Sequence, residues 1–147
     1  MKGGLKMIIE EIDESLFISR FEDYKRVVTP ENLSGNFTYK GLRALFKYLE
    51  DTTDEENPLK LDVITLCCDF AEYKDLEEYL NDYYTKEQKQ EVINEFLEEN
   101  DSLSEEDKKN LMDLEEFKTF IENRLNDETT LIKFDDDLNE GFIIQSY

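Results

Sequence analysis

Leu59-Lys-Leu-Asp-Val-Ile-Thr-Leu-Cys-Cys-Asp-Phe70 is the most continuous apolar run in the chain, and its reading decides the fold. Val63, Ile64, Leu66, Cys67, Cys68 and Phe70 follow one another too closely for a strand with one wet face, so the run reads as a central strand covered on both sides, with Asp62 and Asp69 near its ends. In that setting Cys67 and Cys68 are reduced, buried residues, because neighbours in one strand point to opposite faces and cannot form an unstrained disulfide.

Upstream of the run, Ile12, Leu16, Phe17, Phe21, Tyr24 and Val28 recur at helical spacing and predict a helix over about 11–26. The loop Thr29-Pro30-Glu31-Asn32-Leu33-Ser34-Gly35-Asn36 ends it with turn formers. Thr38 can cap a helix over 38–51, whose Leu42, Leu45, Phe46 and Leu49 form an apolar stripe. Asp51 to Pro58 is a polar connector. Downstream, three helical segments are expected at Leu76–Tyr84, Lys86–Asn100 and Ser104–Leu125, the last opened by Ser104 with Asp107 in a position resembling a capping box. Thr130–Phe134 and Phe142–Tyr147 then flank Asp135–Gly141 as a hairpin. These pieces predict one α+β domain over 1–147, with a three-stranded, mostly antiparallel sheet and four to five packed helices. A chain of 147 residues with ten Phe and eight Tyr is large enough to bury a core without disulfide or metal.

Charge is the compositional signal. The net charge is −21, and residues 1–50 contribute none of it, because eight acids there balance eight bases. The entire excess lies after residue 50. Nucleic acid and the cytoplasmic membrane face are anionic, so this chain is expected to bind neither and to seek a basic protein surface. The start Met1–Lys6 lacks the apolar core of a secretory signal, no run is long enough to span a membrane, and the expected location is the cytoplasm.

Histidine is absent, which removes the commonest general base, the usual transition-metal ligand and every Ser-His or Cys-His nucleophile. No glycine-rich phosphate loop occurs. Asp135-Asp136-Asp137-Leu138-Asn139-Glu140-Gly141 resembles a calcium loop, but Glu140 stands where glycine is required and Ser146 where a bidentate Glu is required, so a hairpin turn with Gly141 at an unusual backbone angle is expected instead. No catalytic residue, metal or cofactor is assigned.

The acidic helices carry more information. Glu87, Glu91, Glu95, Glu98 and Glu99 fall at spacings of four, four, three and four and share one helix face. With Glu72, Glu77, Glu78, Asp82, Glu105, Glu106, Asp113, Glu115 and Glu116 they form the candidate partner-binding set, read as a phosphate-backbone mimic that meets lysines and arginines otherwise used on nucleic acid. A solvated face serving only solubility is the competing reading. Lys40, Arg43 and Lys47 form a basic stripe at i, i+3, i+7 that could pair with these acids internally or across a homodimer.

Phe37-Thr-Tyr-Lys-Gly-Leu-Arg-Ala-Leu-Phe-Lys-Tyr-Leu-Glu50, with Leu61-Asp-Val-Ile-Thr-Leu-Cys-Cys-Asp-Phe-Ala-Glu-Tyr73 and the terminal Phe142-Ile-Ile-Gln-Ser-Tyr147, resembles a group of small acidic proteins encoded by bacteriophages and mobile elements. The resemblance covers about half the chain and implies a phage context, in which small acidic proteins disarm restriction or CRISPR nucleases. It implies no catalytic residue, and it marks about 86–113 as an acidic helical insertion. The leading expectation is therefore a non-enzymatic anti-CRISPR or anti-restriction inhibitor that acts as a DNA mimic. The alternatives are an adaptor that binds through apolar and aromatic residues and a carboxylate-metal enzyme using Asp62, Asp69, Glu72 or Asp135.

Overall fold

The computed structural model describes residues 12–53 and 61–146, and its chain divides into two compact units that meet in sequence between Asp69 and Phe70. Among the described residues there are seven α-helices and one three-stranded antiparallel sheet, an α+β architecture.

The first unit is helical: α1 (Glu14–Asp23), α2 (Tyr39–Thr52) and α3 (Val63–Asp69). Asp13 and Thr38 cap α1 and α2, each side chain accepting the backbone N–H three residues on. Phe17 and Phe21 of α1 pack on Phe46 of α2 and on Phe37 before it, with ring centroids 4.9–5.7 Å apart, and all four are buried. The expected helices at 11–26 and 38–51 are both present, although α1 stops at Asp23 where Tyr24 and the left-handed Lys25 (φ 57°) turn the chain. The expected start of the first helix at Glu11, the connector from Asp54 to Pro58, and Leu59 and Lys60 of the apolar run lie outside the described residues.

The run read as the central strand is helical instead. Asp62 opens α3 by accepting the N–H of Thr65, and Leu66 N–H returns to the Asp62 carbonyl. Within α3 Val63 and Leu66 are buried at i, i+3, whereas Ile64, Thr65, Cys68 and Asp69 are exposed. One face is covered, not two, so the β-branched composition yielded to a capped amphipathic turn. Cys67 is half-buried and Cys68 exposed, which corrects the expectation of two buried thiols. Burial pushes the Cys67 thiol above its ordinary range, and the nearby Arg26 guanidinium offsets only part of that.

The second unit begins as α3 runs directly into β1 (Phe70–Tyr73), followed by α4 (Leu76–Tyr83), α5 (Lys86–Glu99), α6 (Glu105–Lys109), a 3-10 turn (Leu111–Asp113), α7 (Glu115–Glu128), β2 (Leu131–Lys133), a second 3-10 turn (Leu138–Glu140) and β3 (Phe142–Gln145). The sheet order is β1-β3-β2. Tyr73 pairs with Phe142, Phe70 with Gln145, and Leu131 with Ile144. The strand buried on both faces is thus β3, whose Phe142, Ile143 and Ile144 are all buried. The expected hairpin supplies this central strand; its last expected residue, Tyr147, lies outside the described residues.

Tyr73, Leu76, Tyr79, Leu80, Val92, Phe96, Leu111, Phe117, Ile121, Leu125, Leu138, Phe142 and Ile144 form the second unit's core. Val92, Phe96 and Leu111 belong to the stretch 86–113, so that stretch helps build the core it sits on. The helix expected over Ser104–Leu125 is broken in two: Asn110 ends α6 with its side-chain amide on the Glu106 carbonyl, and a 3-10 turn precedes α7.

The loop between β2 and β3 is pinned by polar contacts. Lys118, buried on α7, donates to Asp137 at 2.9 Å, and the other Asp137 oxygen accepts from Asn139 N–H. The Asn139 amide then ties two elements together, accepting from Leu76 N–H and donating to the Met112 carbonyl. Gly141 closes the loop at φ 106°, the unusual angle expected of it, with the Phe134 ring where a Cβ would stand.

Candidate interface on the acidic helices

With the unit boundary at Asp69, residues 70–147 hold 24 acids and 8 bases, a net charge of −16, and residues 1–69 hold 14 acids and 9 bases, a net charge of −5. The excess therefore belongs mainly to the sheet-containing unit.

Helix α5 is built to carry its share. Thr85 and Gln88 form a complete capping box, each side chain accepting the other's backbone N–H at 3.0–3.1 Å. Val92 and Phe96 anchor the helix to the core, with Phe96 edge-on to Phe117 at 5.0 Å. Beside that buried face Glu87, Glu91, Glu95, Glu98 and Glu99 are all exposed. At 100° and 1.5 Å per residue these five span an arc of about 120° and a length of about 18 Å.

The carboxylates are not equivalent. Glu95 is tied to Arg124 of α7 at 3.0 Å, with the Arg124 guanidinium 5.8 Å from the Phe120 ring centroid. Glu78 accepts from Lys74 N–H, Asp82 accepts from the Tyr73 hydroxyl at 2.7 Å, Glu105 and Glu115 pair with Lys108 and Lys118, and Asp113 meets the Asn139 amide. Glu72, on β1, is also engaged. The remaining seven of the candidate set, Glu77, Glu87, Glu91, Glu98, Glu99, Glu106 and Glu116, are exposed and have no side-chain hydrogen bond or ion pair among the described residues. Four of these seven lie on α5.

On α4, Glu77, Glu78 and Asp82 line an open depression of about 600 Å3 together with Lys74, Asp75 and Asn81. Asp75 and Asn81 were not among the expected site residues. Asp75 is the α4 N-cap, accepting from Glu78 N–H, and Asn81 accepts from Lys89 of α5, joining the two acidic helices. The Asp-x-x-Glu spacing could have revealed the first; the second is a tertiary contact with no local signature. Burial, and then the hydrogen bond to Asp82, push the Tyr73 hydroxyl well above its ordinary value, so it remains a donor at neutral pH.

On α2, Lys40, Arg43 and Lys47 are all exposed. Lys40 is engaged, whereas Arg43 and Lys47 have no ion pair among the described residues. Among those residues no three His, Cys, Asp or Glu side chains are arranged to hold a metal ion, and no helix is long and apolar enough to cross a membrane. Comparison with protein-family models, curated proteins and solved structures finds no match.

Proposed function

We propose that the second unit is a carboxylate surface that occupies the basic, nucleic-acid-binding channel of another protein. In keeping with the resemblance, we take that protein to be a host defence nuclease, either a CRISPR effector or a restriction enzyme, inhibited in the cytoplasm by a phage-encoded DNA mimic without catalysis of its own.

One observation carries the reading: Glu87, Glu91, Glu98 and Glu99 stand exposed along one face of a capped, core-anchored helix, with no ion pair among the described residues. With Glu95, the face bears one carboxylate per about 4 Å of axis, near the 3.4 Å per charge of a single DNA strand. Like charges this close destabilise a helix by a few tenths of a kcal/mol per pair. With no counter-charge paired to Glu87, Glu91, Glu98 or Glu99 among the described residues, the face suits a partner's lysines and arginines. Each exposed ion pair contributes only about 0.2–1 kcal/mol, so useful affinity requires many of them and depends steeply on salt.

The test is a pull-down from bacterial host lysate at low salt, repeated with added duplex DNA and at moderate salt. The bound protein should be a nucleic-acid-binding one, displaced by DNA and released by salt. The variant with Glu87, Glu91, Glu98 and Glu99 all changed to Gln should lose it. Retention of the same partner at moderate salt and under excess DNA would overturn the reading.

A further inference from the structure

We propose a second contact surface, in the first unit: a groove that takes an arginine side chain, together with a neighbouring apolar side chain, from a protein partner. The groove, about 440 Å3, lies between the end of α1 and the loop 25–37 and is lined by Glu22, Val27, Thr29, Glu31 and Tyr39, among others. That volume falls within the range of small-ligand sites.

The distribution of exposed apolar side chains points to it. Only four large apolar side chains stand exposed among the described residues: Tyr24, Leu33, Tyr39 and Ile64. Tyr39 lines the groove, and Tyr24 and Leu33 are the chain neighbours of its lining residues Lys25 and Asn32. Leu33, at 81% exposure, is the extreme case. Three of the four thus lie in the lining or next to it in sequence, and exposed apolar groups gathered in one region are characteristic of protein-contact surfaces, whereas isolated ones are ordinary.

The loop is held rigidly enough to present them. Asn32 Nδ2 donates to the carbonyls of Lys25 (2.8 Å) and Val27 (3.1 Å), Thr29 and Asn32 exchange backbone hydrogen bonds, and Ser34 donates to Asn32 Oδ1. Asn36 and Phe37 N–H groups both reach the Arg26 carbonyl. Gly35 lets the two limbs meet, since a Cβ there would lie 2.4 Å from the Val27 carbonyl carbon. Such preorganisation lowers the ordering cost of binding.

Charge complementarity selects the occupant. Glu22 accepts the Tyr39 hydroxyl at 2.8 Å; that hydrogen bond, then desolvation, and then the fields of Glu22 and Glu31 raise the hydroxyl's pKa. Lys25, the one cation in the lining, forms no ion pair with either carboxylate. Two carboxylates beside a half-exposed phenol ring suit a planar guanidinium, which can take forked hydrogen bonds and stack at once, better than an ammonium.

The site is independent of the acidic helices and is tested separately. The 15N-labelled full chain is titrated with acetyl-Leu-Arg-amide and, in parallel, acetyl-Leu-Lys-amide. We expect saturable amide shifts concentrated at Glu22, residues 27–32 and Tyr39, with the arginine peptide the tighter by about threefold or more. Glu31→Gln and Tyr39→Leu should each weaken it by about fivefold, while Glu87→Gln with Glu91→Gln leaves it unchanged. Amide shifts of the first unit away from the groove, at Phe17, Leu45 and Phe46 among others, that match the unsubstituted chain establish that each variant is folded. Shifts spread evenly over acidic residues, equal response to both peptides, or indifference to both groove variants would overturn the proposal.

Discussion

Lys118 is the one charged side chain that is buried among the described residues, and its ion pair with Asp137 fixes the loop before the central strand. Replacing it with Met removes a charge-assisted bond to a partly exposed carboxylate. Lys118→Met should therefore cost about 1–3 kcal/mol in urea denaturation at pH 7. Its pH dependence follows from two opposite shifts. The Asn139 N–H, and then Lys118, hold the Asp137 carboxyl below its ordinary value, so this contribution is present above the unfolded value and disappears as pH falls through the lowered one. The hydrogen bond to Asp137 holds Lys118 above its ordinary value, so that contribution is lost only at strongly alkaline pH. The stability difference between wild type and variant should stay level from about pH 5 to 9 and shrink below about pH 4. A difference that persisted in acid would mean that packing of the lysine stem, not charge, is what matters. Gly35 offers a second check on a single position. A methyl group there meets backbone instead of a flexible side chain, so Gly35→Ala should destabilise the chain by about 1–3 kcal/mol, with the largest amide shifts at residues 25–37.

Elements with an apolar stripe and a cap could be read from sequence; those decided by tertiary burial could not. Thr38 and the spacing of Leu42, Leu45 and Phe46 placed α2 to within a residue at either end. The run at 59–70 misled because Val63, Ile64 and Thr65 favour strands, and composition does not reveal that Ile64 would stay exposed. Asp62, an N-cap by type and position, was the overlooked signal. The same holds for α5, whose Thr85-Lys-Glu-Gln88 is a capping box plainly spelled. Thr85→Ala should cost about 1 kcal/mol and fray the first turn that carries Glu87, seen as faster amide exchange there. Of the candidate site, the α5 stripe was legible from its spacing, but the loss of Glu95 to Arg124 was not, since the two lie 29 positions apart. Glu91→Gln relieves repulsion from neighbours on both sides, so it should stabilise the chain by a few tenths of a kcal/mol while weakening the proposed partner. A gain in stability accompanied by a loss in binding separates a contact role from a solubility role.

At the scale of the molecule, charge should act in opposite directions on folding and on binding. Raising ionic strength from about 0.01 M to 0.15 M shortens the screening length from about 30 Å to 8 Å and damps the self-repulsion of a unit with a net charge of −16. Thermal melts should shift upward over that range as the affinity for the proposed basic partner falls. A melting temperature that fell with salt would show that favourable ion pairs, not repulsion, dominate this surface. Among the described residues the division at Asp69 and Phe70 also separates two surface chemistries: exposed tyrosines near a hydrogen-bonded loop in one unit, and a helix face of carboxylates without ion pairs in the other.

The strand order β1-β3-β2 bears on how the chain is made. During synthesis Phe70–Tyr73 and Leu131–Lys133 both leave the ribosome before Phe142–Gln145, and neither pairs with the other. Until Phe142–Gln145 emerge, β1 waits without its ladder partner across roughly seventy residues of intervening chain, a closure that is entropically costly and slow. The helical first unit is translated well before that point. A nascent chain with Gly141 as its last residue outside the ribosome should leave the second unit open to protease, and exposure of Phe142–Gln145 should close it.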